Sequence, residues 1–244
     1  MPSDKPAWKA LLGRISIFPL TPSPTPPSAL DLFRRVWPIE PEEFRGQPNP
    51  LMPSIAQGKL RDLTVNCFKH PVRTDLNLLP LSFPGSASLA SIENTTQLHE
   101  ELAHIIRVIG EGLISDPVVR VAVFVQFVMP ASTFEEANKI LLASIPQTYR
   151  MGVTNEEDFM LQVNSPSQLS NTDNLRMNTL TRWSAEQMHI IVGSRIVVAL
   201  VAFDYNNVPS TTPISSDKQA ALLTEGLLKM ANLRRDYDMN ITGF

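Results

Sequence analysis

Residues 118–130 read VVRVAVFVQFVMP. Only Arg120 and Gln126 interrupt an apolar run rich in Val and Phe, a composition that suits a strand buried on both faces rather than one with a wet side. The run is too short and too β-branched to be a membrane span. It predicts a central strand, and the neighbouring elements are read outward from it.

Downstream, 132–146 has the spacing of an amphipathic helix. Phe134, Ala137, Leu141 and Ile145 share its inner side, and Glu135 follows Ser132 by three residues, as in a capping box. Residues 159–164 (FMLQVN) alternate apolar and polar side chains, which predicts a strand. A longer strand is predicted over 177–192. Gly193-Ser194 suits a two-residue hairpin, and 195–204 (RIVVALVAFD) returns as a buried strand. A helix over 216–236 closes this half, striped by Ala220, Leu223, Leu227 and Met230.

Upstream the same order is repeated. Residues 14–19 (RISIFP) form a short strand, and about 27–37 form a helix. The proline-studded 38–53 is expected to lie as extended backbone pinned by Phe44, Leu51 and Met52, or to act as an interaction arm. Strands follow over 54–60, 63–69 and 72–79, the last two joined at His70-Pro71, and a helix over 96–113 ends the half. RISIF at 14–18 even reads like RVAVF at 120–124.

The expected fold class is therefore α+β. Each of two similar lobes, 1–115 and 116–244, would run strand-helix-three strands-helix, with a mostly antiparallel sheet and helices on one face. An internal, pseudo-two-fold duplication would relate them, leaving a groove or a shared sheet between. As an order of elements this is similar to the double α+β modules of bacterial drug-sensing and gyrase-inhibitor-type domains. The likeness is one of topology, carried by no shared motif, and topology does not fix function.

Composition narrows the chemistry. A net charge of -3 with no Lys/Arg cluster offers no footprint for nucleic acid or anionic lipid. Arg34-Arg35 and Arg234-Arg235 are isolated pairs, read as solvated helix faces. Cys67 is alone, so no disulfide can form within the chain. The opening MPSDKPAWKALLGR lacks the apolar segment of a secretory signal. A soluble, cytoplasmic, bacterial-type protein is expected. The 21 prolines, against about 12 at average usage, together with only 10 glycines make for proline-rich, stiff loops.

No glycine-rich phosphate loop and no nucleophile elbow is present. LHEELAH at 98–104 misses the zinc-protease pattern, because His99 and His104 are five residues apart and do not share a helix face. Glu100 and His104 do share one and are expected to pair. Cys67 with His70 would be the nearest approach to a nucleophile and base, but Cys67 falls on the side of Leu63 and Val65 and is read as a buried, inert thiol. Ligand-binding residues are sought instead among mid-strand polar positions: Arg73, Asp75 and Asn77 in the first half, Gln162, Asn164 and Arg182 in the second, with Trp183 as an apolar wall. Converging on a groove, Arg would take an acidic group and the amides would take amides.

These readings point to binding rather than catalysis, without cofactor or metal. The partner expected first is another protein, in the manner of an inhibitor, immunity or regulatory factor. A small molecule in the groove is the alternative, and an enzyme on a scaffold without short motifs the third reading. Neither nucleic acid nor membrane is indicated.

Overall fold

A computed structural model describes residues 7–21, 28–46, 52–81, 88–149, 159–168, 175–190, 194–236 and 239. The first half contains β1 (Lys9–Pro19), α1 (Ala29–Val36), β2 (Glu43–Arg45), β3 (Ser54–Leu60), β4 (Leu63–His70), β5 (Arg73–Pro80) and α2 (Thr95–Gly110). The second contains β6 (Val118–Ala131), α3 (Phe134–Ser144), β7 (Met160–Gln168), β8 (Arg176–His189), β9 (Arg195–Asn207) and α4 (Ser216–Asp236).

The strands make one antiparallel sheet of nine, in the order β2-β3-β4-β5-β1-β6-β9-β8-β7. This corrects the two-lobe α+β expectation. The molecule is mainly a sheet, and β1 and β6 lie side by side in its middle, with Gly13 opposite Val125 and Ile17 opposite Val121. The hydrophobic run at 118–130 explains why no gap opens there. Val121, Val123, Val125 and Phe127 are buried in the main core, and the strand's backbone is paired on both sides, to β1 and β9. Outward from the seam the two halves are nonetheless ordered alike, apart from the extra edge strand β2 in the first: the first strand borders the last, and the others follow in reverse order.

Local signals set the helix ends. Ser28 Oγ accepts from Asp31 N–H at 3.1 Å, and the Asp31 carboxylate accepts from Ser28 N–H at 3.1 Å, a full capping box at the start of α1. At α3 the expected Ser132–Glu135 box is displaced by one residue. Because β6 runs on through Ala131, the helix starts at Phe134; Thr133 caps it, and Glu136 accepts from Ser132 N–H at 2.7 Å. Arg35, expected on a solvated face, donates to the carbonyls of Leu113 and Gly112 just beyond α2. His104 lies 2.7 Å from the Val36 carbonyl and accepts from Arg107 on its other ring nitrogen, tying α2 to the end of α1.

All four helices cover one face. Phe33 of α1 lies against Gly58 of β3, Leu98 of α2 against Gly13 of β1, and α3 against β8 and β9. α4 comes so close to β6 and β9 that a β-carbon at Gly226 would sit 2.5 Å from Val123 and Tyr205. The opposite face carries no helix among the described residues. A second, small apolar cluster lies there: Val128, Val198 and Leu200 at 0% exposure, with Ala202. Within 38–53 it is Ile39 that packs against the core, rather than the Phe44 and Met52 expected to pin the segment. It contributes the edge strand β2, and Phe44 and Met52 are exposed, while Leu51 lies outside the described residues.

Candidate functional site on the helix-free face

Side chains alternate across a strand, so register assigns every polar position to a face. Arg14 and Ser16 of β1 lie opposite Asn77 and Asp75 of β5. Gln162 and Asn164 of β7 lie opposite Arg182 and Leu180 of β8. Six of the seven residues singled out in the sequence (Arg73, Asp75, Asn77, Gln162, Asn164 and Arg182) therefore share the helix-free face. Trp183 does not. Next in line after Arg182, it points into the helix-covered core at 0% exposure and cannot wall the same site.

The six do not converge. β5 and β8 are separated by β1, β6 and β9, four strand spacings or roughly 19 Å. Each set is also occupied with its own neighbours. The Asp75 carboxylate takes Ser16 Oγ at 2.6 Å and Arg73 Nη2 at 2.9 Å. Asn77 donates to Asn66 at 3.1 Å, and Asn66 in turn to Gln57 at 3.4 Å, an amide ladder across three strands. Arg182 pairs with Glu186 at 3.2 Å, and Ser184 donates to the same oxygen at 2.7 Å. Gln162 and Arg182 do border a small hollow of about 170 Å³ with Phe124 and Asp204.

A larger concavity lies between these sets, over the middle of the sheet at one end. It is a cleft of about 470 Å³, walled by Leu11, Leu12, Leu79, Leu89, Met188 and Ile190. Gln126 and His189 contribute polar side chains to it. Leu11, Leu89 and Met188 also pack on the Val128–Val198–Leu200 cluster, so the cleft's wall continues into buried apolar surface. Sequence reading missed it because loop 88–90, the start of β1 and the end of β8 meet only through the long-range sheet order.

It also missed a reciprocal pair beside the cleft. Arg14 lies opposite Phe124, and Phe18 opposite Arg120. The Arg14 guanidinium carbon is 4.8 Å from the Phe124 ring centroid, and that of Arg120 is 5.0 Å from the ring of Phe18. The signal was present in RISIF and RVAVF: Arg and Phe four apart on a strand share a face, and two such pentads laid antiparallel place each cation on the other's ring.

Nucleophilic chemistry finds no support in Cys67. It is buried under the helices, desolvation pushes its thiol up to about 12, and His70, an odd step along β4, faces the other way. Among the described residues no group of three His, Cys, Asp or Glu side chains is placed to hold a metal ion, and no helix is long and apolar enough to cross a membrane. Comparison with protein-family models, with curated proteins and with solved structures returned no match for this chain.

Proposed function

We propose that this is a non-enzymatic binding protein that receives a small, largely apolar molecule in the cleft on the helix-free face of its sheet. The observation that carries this reading is the cleft itself. Its volume of about 470 Å³ falls within the roughly 300–1,000 Å³ of small-molecule sites, and its lining has their usual character, mostly apolar with a few polar groups. A protein partner is the weaker reading for this face. Its ion pairs and amide ladder already satisfy one another within the sheet, which leaves fewer polar groups for a flat macromolecular contact to recruit.

Thermal unfolding with anilinonaphthalene sulfonate, decanol and decanoic acid tests this, run on the native chain and on Leu12→Glu and Met188→Glu. A ligand at about 100 times its Kd adds about 2.7 kcal/mol. For a domain of this size that is a rise in Tm of roughly 5–10 °C. A rise for the native chain that both variants lose supports the cleft. No rise with any of the three compounds, or a rise that both variants keep, overturns it.

A further inference from the structure

We infer that the molecule taken by the cleft is an apolar acid, and that Arg14 holds its carboxylate. This rests on the cleft being the binding site, and adds which end of the ligand is charged and where it lies.

Arg14 is placed for this by register. Leu12 and Gln126, which line the cleft, face each other across β1 and β6. The next pair along the same face is Arg14 and Phe124, about 7 Å further at the rise of a strand. Phe124 packs on the same apolar cluster as Leu11, Leu89 and Met188 of the cleft wall. A chain lying in the cleft and following this surface arrives at the guanidinium stacked over Phe124.

The guanidinium is also chemically available. Arg73 and Arg182 on this face have carboxylate partners at 2.9 and 3.2 Å. Arg14 has neither an ion pair nor a hydrogen bond among the described residues, and its Nε is screened from solvent without a partner. The unpartnered, screened Nε is costly, and for the guanidinium as a whole a carboxylate accepting two parallel N–H groups is the best complement. Among the described residues no carboxylate lines the cleft to compete with one brought by the ligand. The nearest acids by register are both engaged elsewhere: Asp75, diagonal to Arg14 on β5, takes Ser16 Oγ at 2.6 Å and Arg73 Nη2 at 2.9 Å, and Asp204, across Phe124 on β9, accepts from Asn206 Nδ2 at 2.9 Å.

The second stacked arginine supplies the control. Arg120 has the same stacking on Phe18 and the same unpartnered Nε, but lies four residues further from the cleft along the seam. Displacement of the neutral dye Nile red is measured with decanoate and with decanol, which has the same chain length and no charge. The chains compared are the native protein, Arg14→Gln, Arg14→Lys, Arg120→Gln and Met188→Glu, each first shown to melt cooperatively.

The native chain is expected to prefer decanoate over decanol by about ten-fold or more, the worth of a charge-assisted hydrogen bond. Arg14→Gln removes that preference and leaves decanol unchanged, Arg14→Lys keeps part of it, and Arg120→Gln keeps all of it. Equal decanoate binding by the native chain and Arg14→Gln overturns the role of Arg14, as does an equal loss in Arg120→Gln, which would report only net charge. In either case Nile red binding that Met188→Glu abolishes leaves the cleft standing. Nile red that fails to bind, or binds Met188→Glu as well as the native chain, overturns the cleft and the inference together.

Discussion

Cys67 and Asn207 are both at 0% exposure, and burial acts on them in opposite ways. Desolvation outweighs the opposing charge of Lys69 and raises the Cys67 thiol from an ordinary 9.0 to about 12. Between those limits the unfolded chain loses a proton that the folded chain keeps, so stability falls as pH rises, by up to about 1.4 kcal/mol per pH unit. Urea denaturation across this range should show a shallower fall for Cys67→Val than for the native chain, and thiol reagents should stay silent until the protein unfolds. Asn207 is instead tied into the backbone. Its Oδ1 accepts from Val121 N–H at 2.8 Å, and its Nδ2 donates to the carbonyls of Val119 and Val208 at 3.0 and 2.8 Å. Asn207→Ala strands those groups near the sheet's centre and should cost about 2–3 kcal/mol in urea denaturation. The inert thiol was legible, because Leu63, Val65 and Cys67 alternate with polar residues. The role of Asn207 was not, since two of its three partners, Val121 and Val119, are more than eighty residues away.

At the scale of elements, periodicity carried most of the reading and long-range pairing the rest. The hairpin β4–β5 formed where alternation placed it, with its turn one residue later than expected: His70 ends β4 opposite Arg73, and Pro71-Val72 make the turn. Ends shifted where a neighbouring element competed, as when β6 continued through Ala131 and moved the cap of α3. Six of the seven site residues stand out by polarity at mid-strand and Trp183 as an apolar wall beside them, and such a pattern assigns a face but not a neighbour. Six share that face, Trp183 lies on the other, and the strands that would bring the six together are not adjacent. Close approach of two elements is likewise invisible from one of them. Gly226 in α4 reads as a helix-weakening residue, and Gly→Ala in a helix interior ordinarily gains about 1 kcal/mol. Here the added carbon would lie 2.5 Å from the Tyr205 ring and from Val123, distances at which helix or sheet must move, and overpacking costs about 1–3 kcal/mol. The clash outweighs the propensity. Gly226→Ala should lower Tm by a few degrees, and calorimetry showing a rise would mean that α4 sits further from the sheet.

For the whole molecule, the decisive fact is that the seam between the halves is a strand ladder. β1 and β6 pair from Lys9–Val128 to Pro19–Val118, and Ile15, Ile17, Val121 and Val123 beneath them belong to one core. α2 and α4 also meet over that seam, with Gly110 close to Ala220. Separating 1–115 from 116–244 would turn two central strands into long, flat, apolar edges, the kind that associate with other chains. Neither half can therefore hold its structure alone at the stability of the whole, and the two should melt as one unit. Tryptophan position allows a direct measurement, since Trp8 and Trp37 lie in the first half and Trp183 in the second. Urea titrations of Trp183→Phe, which reports the first half, and of Trp8→Phe/Trp37→Phe, which reports the second, are compared with the far-ultraviolet dichroism of each variant. In each variant fluorescence and dichroism should share one midpoint. Fluorescence that moves in both variants at a denaturant concentration where part of the dichroism persists would mean that the halves unfold separately, and that the central ladder is weaker than its register and burial imply.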